Sequence, residues 1–292
     1  MRISDILNTG GLTLSFEMFP PKERSGLEKS YGIADRIARN RPSFISVTYG
    51  AAGGASEYTV NVADNIQKHS GVPSLAHLTC IVSSKDKINA VLDDLEARGI
   101  ENILALRGDI PPGQAFPGSG HFMHASDLMA AVGERGCFCV GGACYPEGHP
   151  ESASRAKDID ALKIKRENGC SFLTTQMFFD NDAFYNFMFR MLRGGVDIPV
   201  IAGIMPVVDA LSIPRIIALS GATLPRRFTA AIDRFADDPE AMRQAGVAYA
   251  TDQIIDLASN GVGHVHVYTM NNPDIADDIA RNLSHIFIPP RP

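Results

Sequence analysis

The stretch 74–109, SLAHLTCIVSSKDKINAVLDDLEARGIENILALRGD, decides the fold because it contains one complete strand–helix–strand unit. The short apolar runs 74–80 and 102–107 have the length and composition of buried strands. Between them, Ser84 is a suitable N-cap, and apolar residues three and four positions apart form one helical face that ends before Gly99. The unit therefore predicts two parallel strands joined by a helix.

The same alternation runs through the whole chain. Apolar runs lie at 12–19, 44–49, 74–80, 102–107, 138–145, 171–178, 198–204 and 264–269. Helical patterns separate them. They include 151–168, a helix preceded by Asp180, and an extra helix after Pro225 that is followed by a long one over 239–260. Eight such units favour an α/β fold of the closed (β/α)8 TIM-barrel type over an open sheet, and no G-x-G-x-x-G turn follows the first run. Without a linker-like segment, residues 1–292 are expected to form a single domain.

Composition narrows the class of function. The 292 residues carry a formal net charge of -6, which disfavours extensive nucleic-acid binding because that normally needs a basic face. No apolar stretch is long enough for a spanning helix and the N-terminus has no signal-peptide core, so we expect no membrane partner and a cytoplasmic protein. The five cysteines have no zinc-ligand spacing and are interpreted as reduced, packed side chains. We predict no metal.

Polar side chains stand at the ends of nearly all the predicted strands. In a barrel these ends meet on one face, where active sites form. A single histidine or tyrosine there is more often a structural, hydrogen-bonded residue, but seven strands ending in this way indicate a functional face. The residues are Glu17, Thr48, Tyr49, His77, Thr79, Arg107, Asp109, Tyr145, Gln176 and Tyr268.

Glu17 is the most informative of these side chains. It lies between Phe16 and Met18 in an apolar strand, and two prolines follow shortly after. Loss of hydration disfavours the charged form of a carboxyl group, so Glu17 is expected to keep its proton and to act as a general acid. The alternative is a structural ion pair with a neighbouring Arg or Lys.

Arg107 and Asp109 flank Gly108 in the segment LRGDIPPG, 106–113. Glycine permits a tight turn or a close approach to a ligand, and the guanidinium offers a two-pronged donor for phosphate or carboxylate. The alternative is an Arg107–Asp109 pair that closes the loop. The lysines of the helix at 151–168 are interpreted as a solvated face that could also contact phosphates.

Eight segments in this order closely resemble the methylenetetrahydrofolate reductase family. They are SFEMFPPK (15–22), FISVTYGA (44–51), AHLTC (76–80), ALRGDIPPG (105–113), YPEGHPES (145–152), TTQMFFD (174–180), GIMPV (203–207) and HVYTMN (266–271). The resemblance implies a flavin-bearing barrel, with FAD favoured over FMN, that takes hydride from NADH or NADPH and reduces methylenetetrahydrofolate to methyltetrahydrofolate.

The resemblance also implies roles for individual residues. Glu17 matches the general acid that protonates the bridging nitrogen of the folate, and Asp109 matches a catalytic residue close to both flavin and folate. Gln176 matches the residue that recognises the pterin, and Tyr268 and Asp109 are also expected to bind substrate. The cofactor-binding positions are Thr48, Tyr49, His77, Arg107, Gly108, Asp109, Ala125, Tyr145, His149, Asp158 and Lys165.

This sequence departs from the family at four positions. Ala161 and Ile164 replace polar residues on the helix after the fifth strand, and Asn272 replaces an arginine associated with the folate tail. Ile232 replaces an aromatic associated with nicotinamide stacking, although Phe228 is nearby. These changes concern the identity of the electron donor and the choice between FAD and FMN.

Three alternatives to the NAD(P)H-dependent enzyme follow. The first is a catalytic subunit that takes electrons from a partner protein, which the altered helices favour. The second is a non-catalytic barrel that binds folate or flavin, and the third is a barrel lyase or aldolase. The joint presence of Glu17, Asp109 and Gln176 disfavours the second, and no strand ends on a Schiff-base lysine, which disfavours the third. A homo-oligomer is also expected.

Overall fold

Eight parallel strands close into a barrel in the computed structural model, which describes residues 1–49, 56–110, 113, 118 and 120–287. The strands follow one another around the barrel in chain order. They are β1 (Thr13–Met18), β2 (Ile45–Val47), β3 (Ser74–Thr79), β4 (Asn102–Leu106), β5 (Cys139–Cys144), β6 (Phe172–Thr175), β7 (Val200–Ile204) and β8 (His264–Tyr268). Each lies inside its predicted run, so the predicted (β/α)8 barrel is confirmed. Of the family-like segments, Gly50, Ala51, Pro111 and Pro112 lie outside the described residues.

Helices cover the outside of the barrel. They are α1 (Ile3–Leu7), α2 (Leu27–Ala38), α3 (Ser56–Asn65), α4 (Lys85–Ala97), α5 (Ala125–Gly133), α6 (Arg155–Glu167), α7 (Asn181–Arg193), α8 (Ile213–Ser220), α9 (Arg226–Phe235), α10 (Pro239–Ser259) and α11 (Pro273–Asn282). The predicted cap Ser84 accepts a backbone N–H group at the start of α4, and Asp180, which precedes the predicted helix, does the same at the start of α7. Helix α6 begins later than predicted because Ser154 caps it. Within the described ranges, no helix is both long and apolar enough to cross a membrane.

Helix α1 closes the bottom of the barrel, which the sequence patterns did not predict. Its side chains Ile3, Ile6 and Leu7 are buried against inward-facing residues of the strands. Those residues are Phe44, Leu75, Leu104, Cys139, Phe172 and Ile201. Asn102 fixes the helix through its side-chain oxygen, which accepts the Ile3 N–H at 2.8 Å. The floor of the barrel is therefore a packed apolar layer in which Asn102 is a hydrogen-bonded polar side chain.

The character of the interior changes from floor to mouth. On β1, Phe16 and Met18 face outward under the helices and are fully buried, while Ser15 and Glu17 alternate with them and face inward. On β8, His266 and Tyr268 likewise face inward. Alternate residues of a strand share a face. Polar side chains therefore lie in the upper interior of the barrel, although the outward faces of the same strands are apolar.

Gly246 lets α10 pack directly on the segment after β7. A Cβ atom at this position would overlap the backbone carbonyl of Val207. Backbone cannot yield as a flexible side chain does, so a larger residue forces the helix away from the barrel.

We expect Gly246→Ala to lower the free energy of unfolding by about 3 kcal/mol or more, the upper end of overpacking costs. Gly32→Ala is the matched control, since it also lies inside a helix but its added Cβ would meet no atom within 4 Å. That variant should gain about 0.5–1 kcal/mol. Urea unfolding of both measures the difference, and equal stabilities would contradict the packing argument.

Candidate active site

Glu17 lies at the centre of the barrel mouth. Its Cα is in register with Ser46 on β2 and Tyr268 on β8, and its side chain is 12% exposed. Its Oε2 atom is 3.6 Å from His77 Nε2 and 3.9 Å from His266 Nε2. The alternative of a structural pair with Arg or Lys is wrong for the described residues, where the side chains that pair with Glu17 are the two imidazoles.

His77 contributes a neutral imidazole. Burial lowers the pKa of His77 to about 4, against the opposing effect of the Glu17 carboxylate. Its Nε2 atom is buried and, among the described residues, has no hydrogen-bond partner. Leaving a buried polar atom without a hydrogen-bond partner costs free energy. A ligand bound at the mouth could supply that partner for His77 Nε2.

His266 was not singled out from the sequence. Its Nδ1 lies 2.7 Å from Ser15 Oγ, its Nε2 lies 3.0 Å from Ser46 Oγ, and its ring stacks on Phe44 with centroids 5.6 Å apart. The signal that could have found it is the alternation of His264, His266 and Tyr268 along β8. Alternate residues of a strand share a face, so His264 and His266 face inward together with Tyr268, which had already been singled out.

Tyr268 and Gln176 complete the wall beside Glu17. The Tyr268 hydroxyl donates to the Thr175 carbonyl at 2.5 Å, and burial raises the pKa of this phenol well above its usual value. The Gln176 amide oxygen accepts the Met177 N–H at 2.9 Å. Two of the three predicted substrate-binding residues, Tyr268 and Gln176, therefore stand at the mouth, on β8 and directly after β6, with hydrogen-bonded polar groups.

The loop after β4 has the tight turn that its glycine predicts. Gly108 has φ +82, and a Cβ atom there would come within 3.0 Å of the Thr79 Cβ. Arg107 forms a two-pronged pair with Glu151, at 2.5 and 2.7 Å. The alternative of an Arg107–Asp109 pair is therefore wrong, and the Asp109 side chain is exposed at the mouth.

The loop after β5 is held by the predicted cofactor residues themselves. The Tyr145 and His149 rings meet edge to face at 4.5 Å, and Asp158 accepts the His149 backbone N–H at 2.7 Å. Burial raises the pKa of Tyr145 to about 12, and burial lowers the pKa of His149. Both rings are therefore uncharged near neutral pH.

Lys165 differs from the other lysines of α6. Lys163 pairs with Asp160 at 3.2 Å, as expected for a solvated face. Lys165 instead turns inward, where its Nζ donates to the Ala143 carbonyl at 2.6 Å and burial lowers its pKa. A buried ammonium at the end of β5 is a positive charge that an anionic ligand could use.

The predicted site residues fall into two arcs around the mouth. The predicted cofactor residues lie in β3, follow β2, β4 and β5, or lie at the start of α5 and in α6. They include Thr48, Tyr49 and Ala125. On the other side, Glu17 and Tyr268 lie in β1 and β8, and Gln176 directly follows β6. The Tyr49 hydroxyl is buried without a hydrogen-bond partner in the described part of the chain. No group of three or more His, Cys, Asp or Glu side chains forms a metal-type cluster in that part.

The four departures from the family lie in different surroundings in this chain. Ala161 and Ile164 lie exposed on α6, and Asn272 caps α11 by accepting the Asp274 N–H at 3.0 Å. Ile232 packs into the cluster of α8–α10. Phe228 is 1% exposed and stacks with Phe179 and Tyr249, so it cannot offer a face to a nicotinamide ring.

Comparison with known proteins assigns the family. The sequence profile described as "Methylenetetrahydrofolate reductase" matches residues 2–284. The 5,10-methylenetetrahydrofolate reductases of Pectobacterium carotovorum and Escherichia coli are each 33% identical, over 94% of this chain and 91% of theirs. "Methylenetetrahydrofolate reductase (NADH) 1" of Arabidopsis thaliana is 32% identical over 98% of this chain and 50% of its own length.

A solved structure shares the fold. It is a Clostridium thermocellum protein described as binding two copies of 5-methyl-5,6,7,8-tetrahydrofolic acid, with a TM-score of 0.68, 13% identity and coverage of 98% of this chain and 100% of that one. Identity this low supports the architecture alone. The profile match and the bacterial relatives extend over almost the whole barrel, and so the chain belongs to the methylenetetrahydrofolate reductase family of oxidoreductases.

Proposed function

We propose that this chain reduces 5,10-methylenetetrahydrofolate to 5-methyltetrahydrofolate, with a bound flavin, NADH or NADPH as electron donor and Glu17 as general acid. In this proposal residues 1–292 form one flavin-binding catalytic domain. The observation that carries it is the position of Glu17, a nearly buried carboxyl group at the barrel mouth whose neighbours are imidazoles. Family membership supplies the reaction class, and this geometry supplies the acid.

The acid step follows from the surroundings of Glu17. A lysine or arginine beside the carboxyl group would hold it ionised, whereas the neutral His77 does not. The protonated oxygen can then give its proton to the bridging nitrogen of the folate, which opens the five-membered ring and makes its methylene carbon electrophilic. Gln176 and Tyr268 orient the folate from the neighbouring strand ends, and Asp109 contributes negative charge at the same mouth.

The residues of the other arc suit a flavin, which supplies the hydride when bound. His77 Nε2 and the Tyr49 hydroxyl are buried polar atoms without partners, and Gly108 permits a close approach to the backbone. Lys165 supplies a buried positive charge. We propose that these residues bind the flavin and that the flavin is FAD rather than FMN. The other residues proposed to bind it are Thr48, Arg107, Asp109, Ala125, Tyr145, His149 and Asp158. Arg107 would have to leave Glu151 to bind a phosphate.

A second candidate function concerns the electron donor. Phe228 is sealed in the core and Ile232 is aliphatic, so neither residue of α9 offers an aromatic face to a nicotinamide. This favours a catalytic subunit that receives electrons from a partner protein. Anaerobic spectra distinguish the two: rapid bleaching of the flavin by NADH or NADPH supports the first function, and bleaching only by a low-potential donor supports the second.

We expect Glu17→Gln to bind flavin normally and to leave flavin reduction unchanged, while reoxidation by methylenetetrahydrofolate slows by about 10²–10⁴-fold, the usual contribution of a general acid. The amide keeps the size of the side chain but cannot give up a proton of comparable acidity. Stopped-flow absorbance follows both half-reactions in one preparation. Unchanged reoxidation would remove Glu17 from the acid role.

We expect Lys165→Met to weaken flavin binding at least tenfold, because it removes the buried positive charge while keeping the stem. Lys163→Met is the matched control on the same helix, where the ammonium is partly exposed and pairs with Asp160. Titration of both apoproteins with FAD and FMN, followed by flavin fluorescence, measures the effect. Equal affinities in the two variants would mean that Lys165 has only a packing role.

A further inference from the structure

The position of the Glu17 carboxyl group depends on the backbone that carries it. Its Oε2 atom lies 3.6 Å from His77 Nε2 and 3.9 Å from His266 Nε2, and both distances are longer than a hydrogen bond. These two contacts therefore do not fix the carboxyl group. The direction of its Cα–Cβ bond is set by the peptide groups on either side of Glu17.

The regular pairing of β1 with β8 ends at Glu17. The last aligned residues of this ladder are Glu17 and Tyr268. Shortly beyond, Pro20 and Pro21 have no backbone N–H group to donate, so the ladder cannot continue through them. The acid is thus carried by the end of a ladder, which is where strands open most easily.

Two side chains from the segment after β8 hold this end. The Thr269 hydroxyl donates to the Glu17 carbonyl at 2.7 Å. Asn271 Oδ1 accepts the Phe19 N–H at 2.7 Å, and Asn271 Nδ2 donates to the Phe19 carbonyl at 3.1 Å. The Asn271 amide therefore pairs with Phe19 as the backbone of a neighbouring strand would. We refer to Thr269 and Asn271 as the β8 clamp.

The backbone of the β8 clamp is strained. Met270 and Asn271 have φ angles of 54° and 59°, in the left-handed region that residues other than glycine seldom adopt. Asparagine tolerates this region better than methionine does. Residues held in such conformations cost about 1–3 kcal/mol each and concentrate at functional sites. The strain accompanies a turn from which the Asn271 side chain reaches β1.

We propose that the β8 clamp positions the general acid, with Thr269 and Asn271 as positioning residues that act through Glu17. The inference rests on the proposed function of Glu17. Thr269 fixes the peptide group that follows Glu17, and Asn271 fixes the chain two residues further on. The clamp thus holds the carboxyl group in the mouth at the place where it meets the folate. Proton transfer needs donor and acceptor within hydrogen-bond reach, so a displacement of about 1 Å costs on the order of 10²-fold in rate.

The first test removes the Thr269 hydroxyl. Thr269→Val keeps the branched shape but leaves the Glu17 carbonyl without this donor, so we expect reoxidation by methylenetetrahydrofolate to slow at least about tenfold. Flavin reduction should not change, because that step does not use Glu17. Thr269→Ser keeps the hydroxyl and should stay within about threefold of wild type. Stopped-flow absorbance measures both half-reactions, and a serine variant as slow as the valine variant would overturn the role of the hydroxyl.

The second test removes the Asn271 side chain and serves also if Thr269→Val does not fold. Asn271→Gly keeps the turn because glycine adopts positive φ freely, and we expect a loss of at least about tenfold in the folate half-reaction. Asn40→Ala is the matched control. Asn40 donates to Asp277 at 2.7 Å and so joins the same first and last βα units outside the barrel. Wild-type folate reoxidation in Asn271→Gly would contradict the proposal.

A double-mutant cycle distinguishes positioning of the acid from general support of the site. In the Glu17→Gln background, Asn271→Gly should change the residual folate rate by less than about threefold, because no acid is left to position. If Asn271→Gly costs as much in that background as in wild type, Asn271 acts independently of Glu17. That result would overturn the proposal.

Hydrogen exchange of the Phe19 amide gives a readout that needs no turnover. Its N–H is held by Asn271 Oδ1, so we expect exchange at least about tenfold faster in Asn271→Gly than in wild type, with the β4 amides unchanged. Equal Phe19 exchange in the two proteins contradicts the clamp even if folate reduction is normal. A wild-type protein that reduces no folate refutes the proposed function instead, and the exchange comparison still decides whether Asn271 holds the end of β1.

Discussion

Hydrogen bonding between β1 and β8 is the interaction on which the rest of the structure depends. It closes the sheet by aligning Thr13 with His264 and Glu17 with Tyr268. The residues of each pair lie near opposite ends of the sequence. Parallel strands joined through helices place all their carboxyl ends on one side, so a closed sheet gathers them into one mouth. Without this pairing, Glu17 would have neither Tyr268 nor His266 beside it.

The two arcs of the mouth differ in their charged groups. On the β2–β5 side, the cations Arg107 and Lys165 are already engaged by Glu151 and by a backbone carbonyl, while the buried rings are neutral. On the β6, β8 and β1 side, one carboxyl group faces imidazoles. Although the chain has a formal net charge of -6, neither positive nor negative charge therefore predominates at the described site.

The sequence was sufficient for the barrel and for the residues that end its strands, because burial on both faces and the βα alternation leave a strong periodic signal. It was not sufficient for pairings across the barrel. The partner of Arg107 is Glu151 on another loop, and no local pattern distinguishes it from Asp109. Lys165 and Lys163 look alike in sequence, yet one turns inward because the helix face rotates between them. The burial of Phe228 depends on Phe179 and Tyr249, which lie far away in sequence.

The apolar floor formed by α1 has a consequence for where solvent meets the acid. Ile3, Ile6 and Leu7 and the residues around them fill the lower end of the barrel with apolar side chains. Glu17 lies at the opposite end, where 12% of its side chain is exposed. A ligand seated over Glu17 would cover that exposed part, so the carboxyl group would exchange its proton with solvent before the ligand enters or after it leaves.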